Sequence, residues 1–253
     1  KRSNSLALIL GQIGFRVHLL EGGYKAFRTA LRADLPVQAA RLTYRVICGP
    51  TGSGKTRLLQ ALQAAGAQVL DLEALASHRS SVLGVIPGQP QPTQKAFDTR
   101  VWDTLRGFDA SRPVFVEAES KKVGNLAIPD ALIEAMRASP CALLQLSDDE
   151  RVELLLEDYA FFATDTDFFC RRLEALTALR GRAVVEGWVA QVRSGQIRAV
   201  VRELLLQHYD PGYATSTRRN FVQFDAALPL LARDRSMAAM SELAATLVHE
   251  PAP

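Results

Sequence analysis

The stretch Gly49-Pro50-Thr51-Gly52-Ser53-Gly54-Lys55-Thr56 fills every fixed position of the pattern G-x-x-x-x-G-K-S/T. Few signals of this length restrict a chain so tightly, because the loop works only between a strand and a helix. Both are legible around it. Tyr44-Arg45-Val46-Ile47-Cys48 is rich in strand formers, and the residues from Arg57 to Ala65 carry a helical pattern that stops at Gly66. Glycines let successive backbone N–H groups curl inward around an anion, and the helix N-terminus adds partial positive charge. The Lys55 ammonium then reaches the outer phosphate. Gly49, Thr51, Gly52, Ser53, Gly54, Lys55 and Thr56 are therefore read as the phosphate-binding set. Thr56 also offers a hydroxyl to a metal ion, with Mg2+ the first to consider. Such a loop cradles a phosphate chain without saying which one.

The remaining pattern alternates strands with helices. A short helix over Asn4 to Gln12 leads to a strand over Phe15 to Leu20, then a helix from Tyr24 to Leu31 with a boundary at Pro36. Gln68-Val69-Leu70 is a second strand. Residues 81–92 hold Gly84, Pro87, Gly88, Pro90 and Pro92 and must be loop. Thr93 caps a helix carrying Phe97, Val101, Leu105 and Phe108, and Pro113 to Val116 is a buried strand. Ala142 to Leu146 is another, followed by a helix that Ser147 and Glu150 open as a capping box. Residues 170–209 read as helix broken at Gly181 and Ser194-Gly195, with His208-Tyr209-Asp210-Pro211 as a proline stop. A last strand is expected at Phe221 to Phe224 and a last helix from Ser236 to Val248. This is the α/β pattern of a P-loop NTPase-like fold: a parallel sheet in three layers, helices on both faces, and a helical C-terminal part over about 160–220. Right-handed crossovers place the strand ending at Glu117 beside the one ending at Cys48, with the strand ending at Leu70 outside it.

A length of 253 residues suits one large α/β domain, or one plus a smaller piece. Lys and Arg exceed Asp and Glu by only 30 to 27, but they gather early and late, whereas acidic residues gather between Asp148 and Asp167. That asymmetry suits a nucleic-acid surface and equally suits ordinary solvated helix faces. Cys48, Cys141 and Cys170 are too scattered for a disulfide framework or a zinc site, so a reducing cytoplasm is the expected compartment. No apolar run reaches the roughly 18 residues that a membrane span needs, so no membrane partner is expected.

Ligands of open parallel sheets bind beyond the carboxyl ends of the strands. Glu117 and Glu119 fall there, and their i, i+2 spacing lets them face one way, to hold a metal or orient a nucleophile. A solvated pair of carboxylates is the plain alternative. Asp71 and Glu73 follow the second strand, where Asp71 fits a helix N-cap better than a catalyst. Arg79 and Lys95, with Lys121 and Lys122, are the cations available to complete an anion site. Phe161-Phe162 and Phe168-Phe169 read as core rather than as a base-stacking platform.

Together these stretches resemble the tRNA 2-selenouridine synthase family. The resemblance is carried by Gly22 to Arg28, the loop Gly49 to Thr56, Leu70-Asp71-Leu72-Glu73, His78-Arg79-Ser80-Ser81 and Pro90 to Lys95. Glu117-Ala118-Glu119-Ser120, Asp158-Tyr159 and His208 to Pro211 continue it in the same order. Family members join a rhodanese domain to a P-loop domain and replace the sulfur of wobble 2-thiouridine in tRNA with selenium. The resemblance implies a route through an S-geranyl intermediate made from geranyl diphosphate, followed by selenophosphate. It therefore implies tRNA and a small diphosphate as partners, with Glu117, Glu119 and Asp71 as catalytic groups and Arg79 and Lys95 beside the phosphate loop. Residues 1–35 then correspond to the far part of a rhodanese domain, and residues 40–253 to the P-loop domain. Arg2-Ser3 matches the tail of the rhodanese loop C-x-R-G-G-x-R-S, whose cysteine lies outside this sequence, so alkylation rather than selenation is the step expected of this chain. Two other readings share the loop: an ATP-dependent small-molecule or nucleotide kinase, and a non-catalytic, nucleotide-gated RNA-binding module.

Overall fold

The computed structural model describes residues 2–81 and 83–249. Two helices, Arg2–Gln12 (α1) and Gly23–Ala40 (α2), lead to the strand Tyr44–Cys48 (β1), which is buried along its whole length. Tyr44, Val46 and Cys48 enter one apolar core while Ile47 enters another, the period-two alternation of a strand covered on both faces. Then follow Lys55–Ala64 (α3), Gln68–Leu70 (β2), Leu72–Ala76 (α4), Gln94–Gly107 (α5) and Val114–Glu117 (β3). A small hairpin, Lys122–Val123 (β4) with Leu126–Ala127 (β5), precedes Asp130–Ala138 (α6), Cys141–Gln145 (β6) and Asp148–Asp158 (α7). The helical region comprises Ala160–Thr164 (α8), Thr166–Glu174 (α9), Thr177–Arg180 (α10), Arg182–Arg193 (α11) and Ile197–Glu203 (α12). A π-helical turn over Leu204–Tyr209 then runs into Asp210–Asn220 (α13), and Leu228–Leu231 (β7) and Met237–His249 (α14) close the fold.

The main sheet is wholly parallel, in the order β2-β3-β1-β6-β7. β3 lies between β1 and β2, as the crossover argument requires. Phe97, Val101 and Leu105 of α5 and Leu132, Ile133 and Met136 of α6 cover one face. Leu58, Leu59 and Leu62 of α3 and Met240, Ala244 and Leu247 of α14 cover the other, completing three layers. A third core, built around Phe162, Phe169, Leu173, Trp188 and Val200, holds the helical region together and confirms the Phe pairs as largely interior.

Several local expectations are corrected. Phe15 to Leu20 forms no strand: Phe15, Leu19 and Leu20 are 64%, 55% and 60% exposed, and none of the described strands pairs with them. The helix expected to stop before Pro36 continues to Ala40. An interior proline costs about 3 kcal/mol, but Leu31, Leu35 and Ala39 form a buried stripe, and each buried leucine returns about 1.5–3 kcal/mol. The division of the chain between 35 and 40 therefore falls inside a continuous helix. Pro211 does not end the helix: it lies in the first turn of α13, which continues directly from the π-helical turn, where the hydrogen-bond register changes. Phe221 to Phe224 is a turn whose two phenylalanines are buried in the first core. The last strand is instead β7, an edge position that tolerates Pro229.

The capping box at α7 is half formed. Ser147 Oγ accepts from the Glu150 N–H at 3.4 Å, but the Glu150 carboxylate turns to the Arg235 N–H and Nη1, both at 3.0 Å. Ser147→Ala is expected to lower stability by about 1 kcal/mol, read by urea denaturation.

Candidate functional site

β1 delivers the chain to the carboxyl edge of the sheet, and α3 starts at Lys55. Between them Gly54 takes φ +92°, a conformation that side chains other than glycine rarely adopt. Lys55 Nζ lies 2.9 Å from the Gly49 carbonyl, and the Gly49 N–H donates to the Tyr213 hydroxyl at 2.5 Å. Behind the loop stands Arg151 of α7, only 4% exposed. Its Nε and Nη2 donate to the Thr51 carbonyl at 3.0 and 2.8 Å, and its remaining donors reach Asp148 at 2.9 Å and Asp210 at 2.6 and 3.0 Å. One guanidinium thus ties the loop backbone to α7 and α13.

The loop forms one wall of a cleft of about 710 Å³, to which Gly49, Thr51, Gly52, Gly54, Lys55 and Thr56 all contribute. Ser53 is fully buried, with its Oγ unpaired beneath the loop and outside the lining. Asp71, Arg79, Glu117 and Glu119 stand on the facing walls. Asp71 caps α4, accepting from the Ala74 N–H at 2.8 Å, and burial raises its carboxyl above the ordinary value. That cap sets the start of the helix that carries Glu73. Glu117 ends β3 in register with Ile47, and Glu119 follows two residues on. Ser80 donates its hydroxyl to Glu119. Arg79 lies over the Tyr159 ring, 4.6 Å from its centre, and donates to the Asp158 carbonyl, so it braces the cleft wall.

Glu73, Glu117 and Glu119 each bring a carboxylate oxygen within 4.8 Å of the others. Burial pushes Glu119 up to about 8, with the Glu73 charge adding to the rise and the Ser80 hydroxyl opposing it. Glu73 rises to about 7, again through burial first, with Lys55 pulling against it. Glu117 is held well above the ordinary range by burial and by the charges of Glu73 and Glu119.

Lys95 does not join this constellation. It is exposed on the first turn of α5, outside the cleft lining. Lys121 pairs with Asp130 at 2.9 Å on the surface. Three arginines from the early and late basic stretches pair within the chain: Arg28 with Asp98 at 2.7 Å, Arg202 with Asp149 at 2.7 Å, and Arg198 with Glu153. Arg151 and Tyr213 carry no local motif, Asp210 lies in the stretch His208-Tyr209-Asp210-Pro211, and only the fold shows that the three hold the loop. The order Leu70-Asp71-Leu72-Glu73 was the available signal for Glu73, since a strand end followed by a capped helix turns that side chain back toward the sheet edge.

A narrow apolar crevice adjoins the cleft. Leu83, Phe162, Phe169, Val201 and Leu204 line it, and it shares Thr51, Ser81, Leu155, Tyr159 and Tyr209 with the cleft.

Residues 42–179 match the family described as the tRNA 2-selenouridine synthase AAA domain. The tRNA 2-selenouridine synthase of Alcanivorax borkumensis is 37% identical over 160 residues, covering 62% of this chain and 43% of that protein. That of Marinobacter nauticus is 36% identical over 148 residues, 58% of this chain and 39% of its own. That of Cupriavidus necator is 35% identical over 221 residues, 76% of this chain and 59% of its own. The aligned regions thus span between 39% and 59% of these relatives. On the match across its P-loop domain, the chain belongs to the tRNA 2-selenouridine synthase family.

Proposed function

We propose that this chain is a tRNA-modifying transferase acting in the conversion of wobble 2-thiouridine to 2-selenouridine, with the phosphate loop holding geranyl diphosphate. One observation carries the reading: an apolar crevice of about 40 Å³ opens beside the phosphate cleft and shares Thr51, Ser81, Leu155, Tyr159 and Tyr209 with it. An allylic diphosphate has two such ends, a multiply charged head and a hydrocarbon tail, and the crevice receives the whole of that tail only if its lining side chains move aside. The alkylation is the step we assign to the cleft. The thiocarbonyl sulfur forms a bond to the allylic carbon, and the carbon–oxygen bond breaks with its electrons onto the diphosphate. The N3 proton of the base is released to water. Negative charge grows on the leaving group as the bond breaks, so the inward N–H groups of the loop and Lys55 bind the transition state more tightly than the ground state. Selenophosphate would displace the geranylthio group in the second step, and residues 1–35 would be the part contributed to a rhodanese domain.

Lys55→Ala removes the mobile cation of the cradle and leaves the backbone donors in place. We expect geranyl diphosphate binding to weaken by about 1.5–3 kcal/mol, with stability little changed. Unchanged affinity by calorimetry would place the ligand elsewhere. The reaction itself is tested by mass spectrometry of the wobble nucleoside after incubation with 2-thiouridine tRNA and geranyl diphosphate. S-geranyl-2-thiouridine is the expected product. Phosphate released from ATP with no change in the nucleoside would favour the kinase reading.

A further inference from the structure

His78 stands in the wall of the cleft with its ring unpartnered. The residue is 6% exposed, its Nδ1 is enclosed with no hydrogen-bond partner, and its Nε2 makes no hydrogen bond with a described residue. A buried polar group in that condition costs free energy, and a catalytic role is one reason a fold keeps it. The backbone around the ring is tightly specified. Ser77 ends α4 at φ +51°, a left-handed conformation that glycine usually takes, and His78 follows at once. A Cβ on Gly84 would lie 1.5 Å from the Arg79 carbonyl oxygen and 3.0 Å from His78 Cε1, so only glycine lets the loop close beside the ring. The Arg79 N–H donates to the Gly84 carbonyl at 2.9 Å, and His78 pairs with Val85 in an antiparallel bridge. The side chains that follow are anchored as well, Arg79 to the Asp158 carbonyl and Ser80 to Glu119.

The alkylation assigned to the cleft sheds a proton. The sulfur bonds to the allylic carbon, and the carbon–oxygen bond breaks onto the diphosphate. The N3–H electron pair then becomes part of the ring C=N bond, and the proton must leave. Burial pushes Tyr159, Tyr209 and Tyr213 up, so these cleft hydroxyls keep their own protons. It also raises Glu73 to about 7 and Glu119 to about 8, so at neutral pH this cluster already holds protons. The Asp71 carboxylate is turned to the Ala74 N–H. His78 differs from all of these. Burial, and after it the charge of Arg172 on α9, hold the imidazole below its ordinary value, so it stands uncharged with a lone pair to offer. We propose that His78 is a catalytic base that takes the N3 proton of the target 2-thiouridine as the sulfur is alkylated. This role rests on the alkylation reading of the cleft. The surroundings that keep the ring uncharged also make it pass the proton on to water, which readies it for the next turnover.

The test follows S-geranyl-2-thiouridine by mass spectrometry in a single turnover, with 2-thiouridine tRNA, geranyl diphosphate and the wild type, His78→Gln or His78→Ala. Both variants should lose about 100-fold or more in rate, the range for a missing acid–base group. Their pyrophosphate affinity should stay at the wild-type value, because the phosphate loop is untouched. Imidazole added to His78→Ala should restore part of the rate. Among imidazoles of similar size, the more basic should restore more at equal free-base concentration. A merely structural histidine would give no such dependence. Glutamine fills the site and keeps a polar group at the place of Nε2, so His78→Gln should fold and ignore imidazole. It decides the matter if circular dichroism shows that His78→Ala does not fold. Folded His78→Gln working at the wild-type rate would overturn the proposal, and so would a folded His78→Ala whose loss imidazole leaves untouched. Product formed equally by all three proteins would remove this role and leave the alkylation reading standing. A wild type that makes no S-geranyl product would remove both.

Discussion

Arg151→Met is expected to destabilise the protein by about 3–5 kcal/mol, the range for breaking a buried ion pair from one side. The side chain is 5% exposed, and the change strips cations from Asp210, itself 27% exposed, and from Asp148 on the surface. It also removes both donors from the Thr51 carbonyl, so part of the phosphate loop loses its backing. Methionine fills a similar volume, which keeps the cavity term small and isolates the polar loss. Urea denaturation gives the energy, and pyrophosphate affinity gives the effect on the loop. Both should fall together. Asp210→Asn keeps the shape and one acceptor, so it should cost less, and the double mutant should cost less than the sum. A loss below about 1 kcal/mol for Arg151→Met would mean that the loop holds its own shape without the guanidinium.

A second large effect is expected in the pH dependence of stability. Glu73 and Glu119 are raised to about 7 and about 8, so the folded chain binds these protons more tightly than the unfolded chain, whose carboxyls titrate at the ordinary value of 4.5. Between those limits the native state carries more protons, and stability must fall as pH rises. Each unit of displacement corresponds to about 1.4 kcal/mol, so the metal-free protein should lose several kcal/mol between about pH 5 and about pH 8.5 from this cluster. Glu117 and Asp71 push in the same direction, while Lys55 and Arg79 oppose it. Glu119→Gln removes one titrating charge at nearly constant volume. It should leave the melting temperature at the acid end little changed, raise it at the alkaline end, and flatten the curve between. A wild-type profile that is already flat in chelator would show that these carboxyls ionise at ordinary values.

The parts of the site that were legible in the sequence are those set by local rules. The phosphate loop is contiguous, its strand and helix flank it, and Glu117 is legible as the end of a buried apolar run. Thr93, Ser147 and Asp71 cap helices because a cap is read from residues three apart. What was not legible depends on partners far away in the chain. Arg151 reaches Thr51 across 100 positions and Asp210 across 59, and nothing near Arg151 distinguishes it from the surface arginines. Lys95 fails for a different reason: it follows the Pro-rich loop in sequence, but none of residues 90–116 lines the cleft and the first turn of α5 leaves its side chain exposed. Pro36 and Pro211 were read as stops. In one, packing of the leucine stripe outweighs the lost hydrogen bond, and in the other the proline falls where a π-helical turn passes into an α-helix. Phe15 to Leu20 has the composition of a strand, but strand formers need a ladder to join.

The brace from α13 to the phosphate loop bears on where this chain can be cut. The family match ends at residue 179, before α11, α12, α13, β7 and α14. Yet Tyr213 holds the Gly49 N–H, Asp210 anchors Arg151, β7 forms the edge of the sheet and α14 covers α3. A piece ending at residue 179 would keep every residue that the family model matches and lose the scaffold that gives those residues their shape. The segment that the family model matches is thus smaller than the segment that holds the phosphate loop in place. Dissections of this protein should place their boundary beyond the last helix.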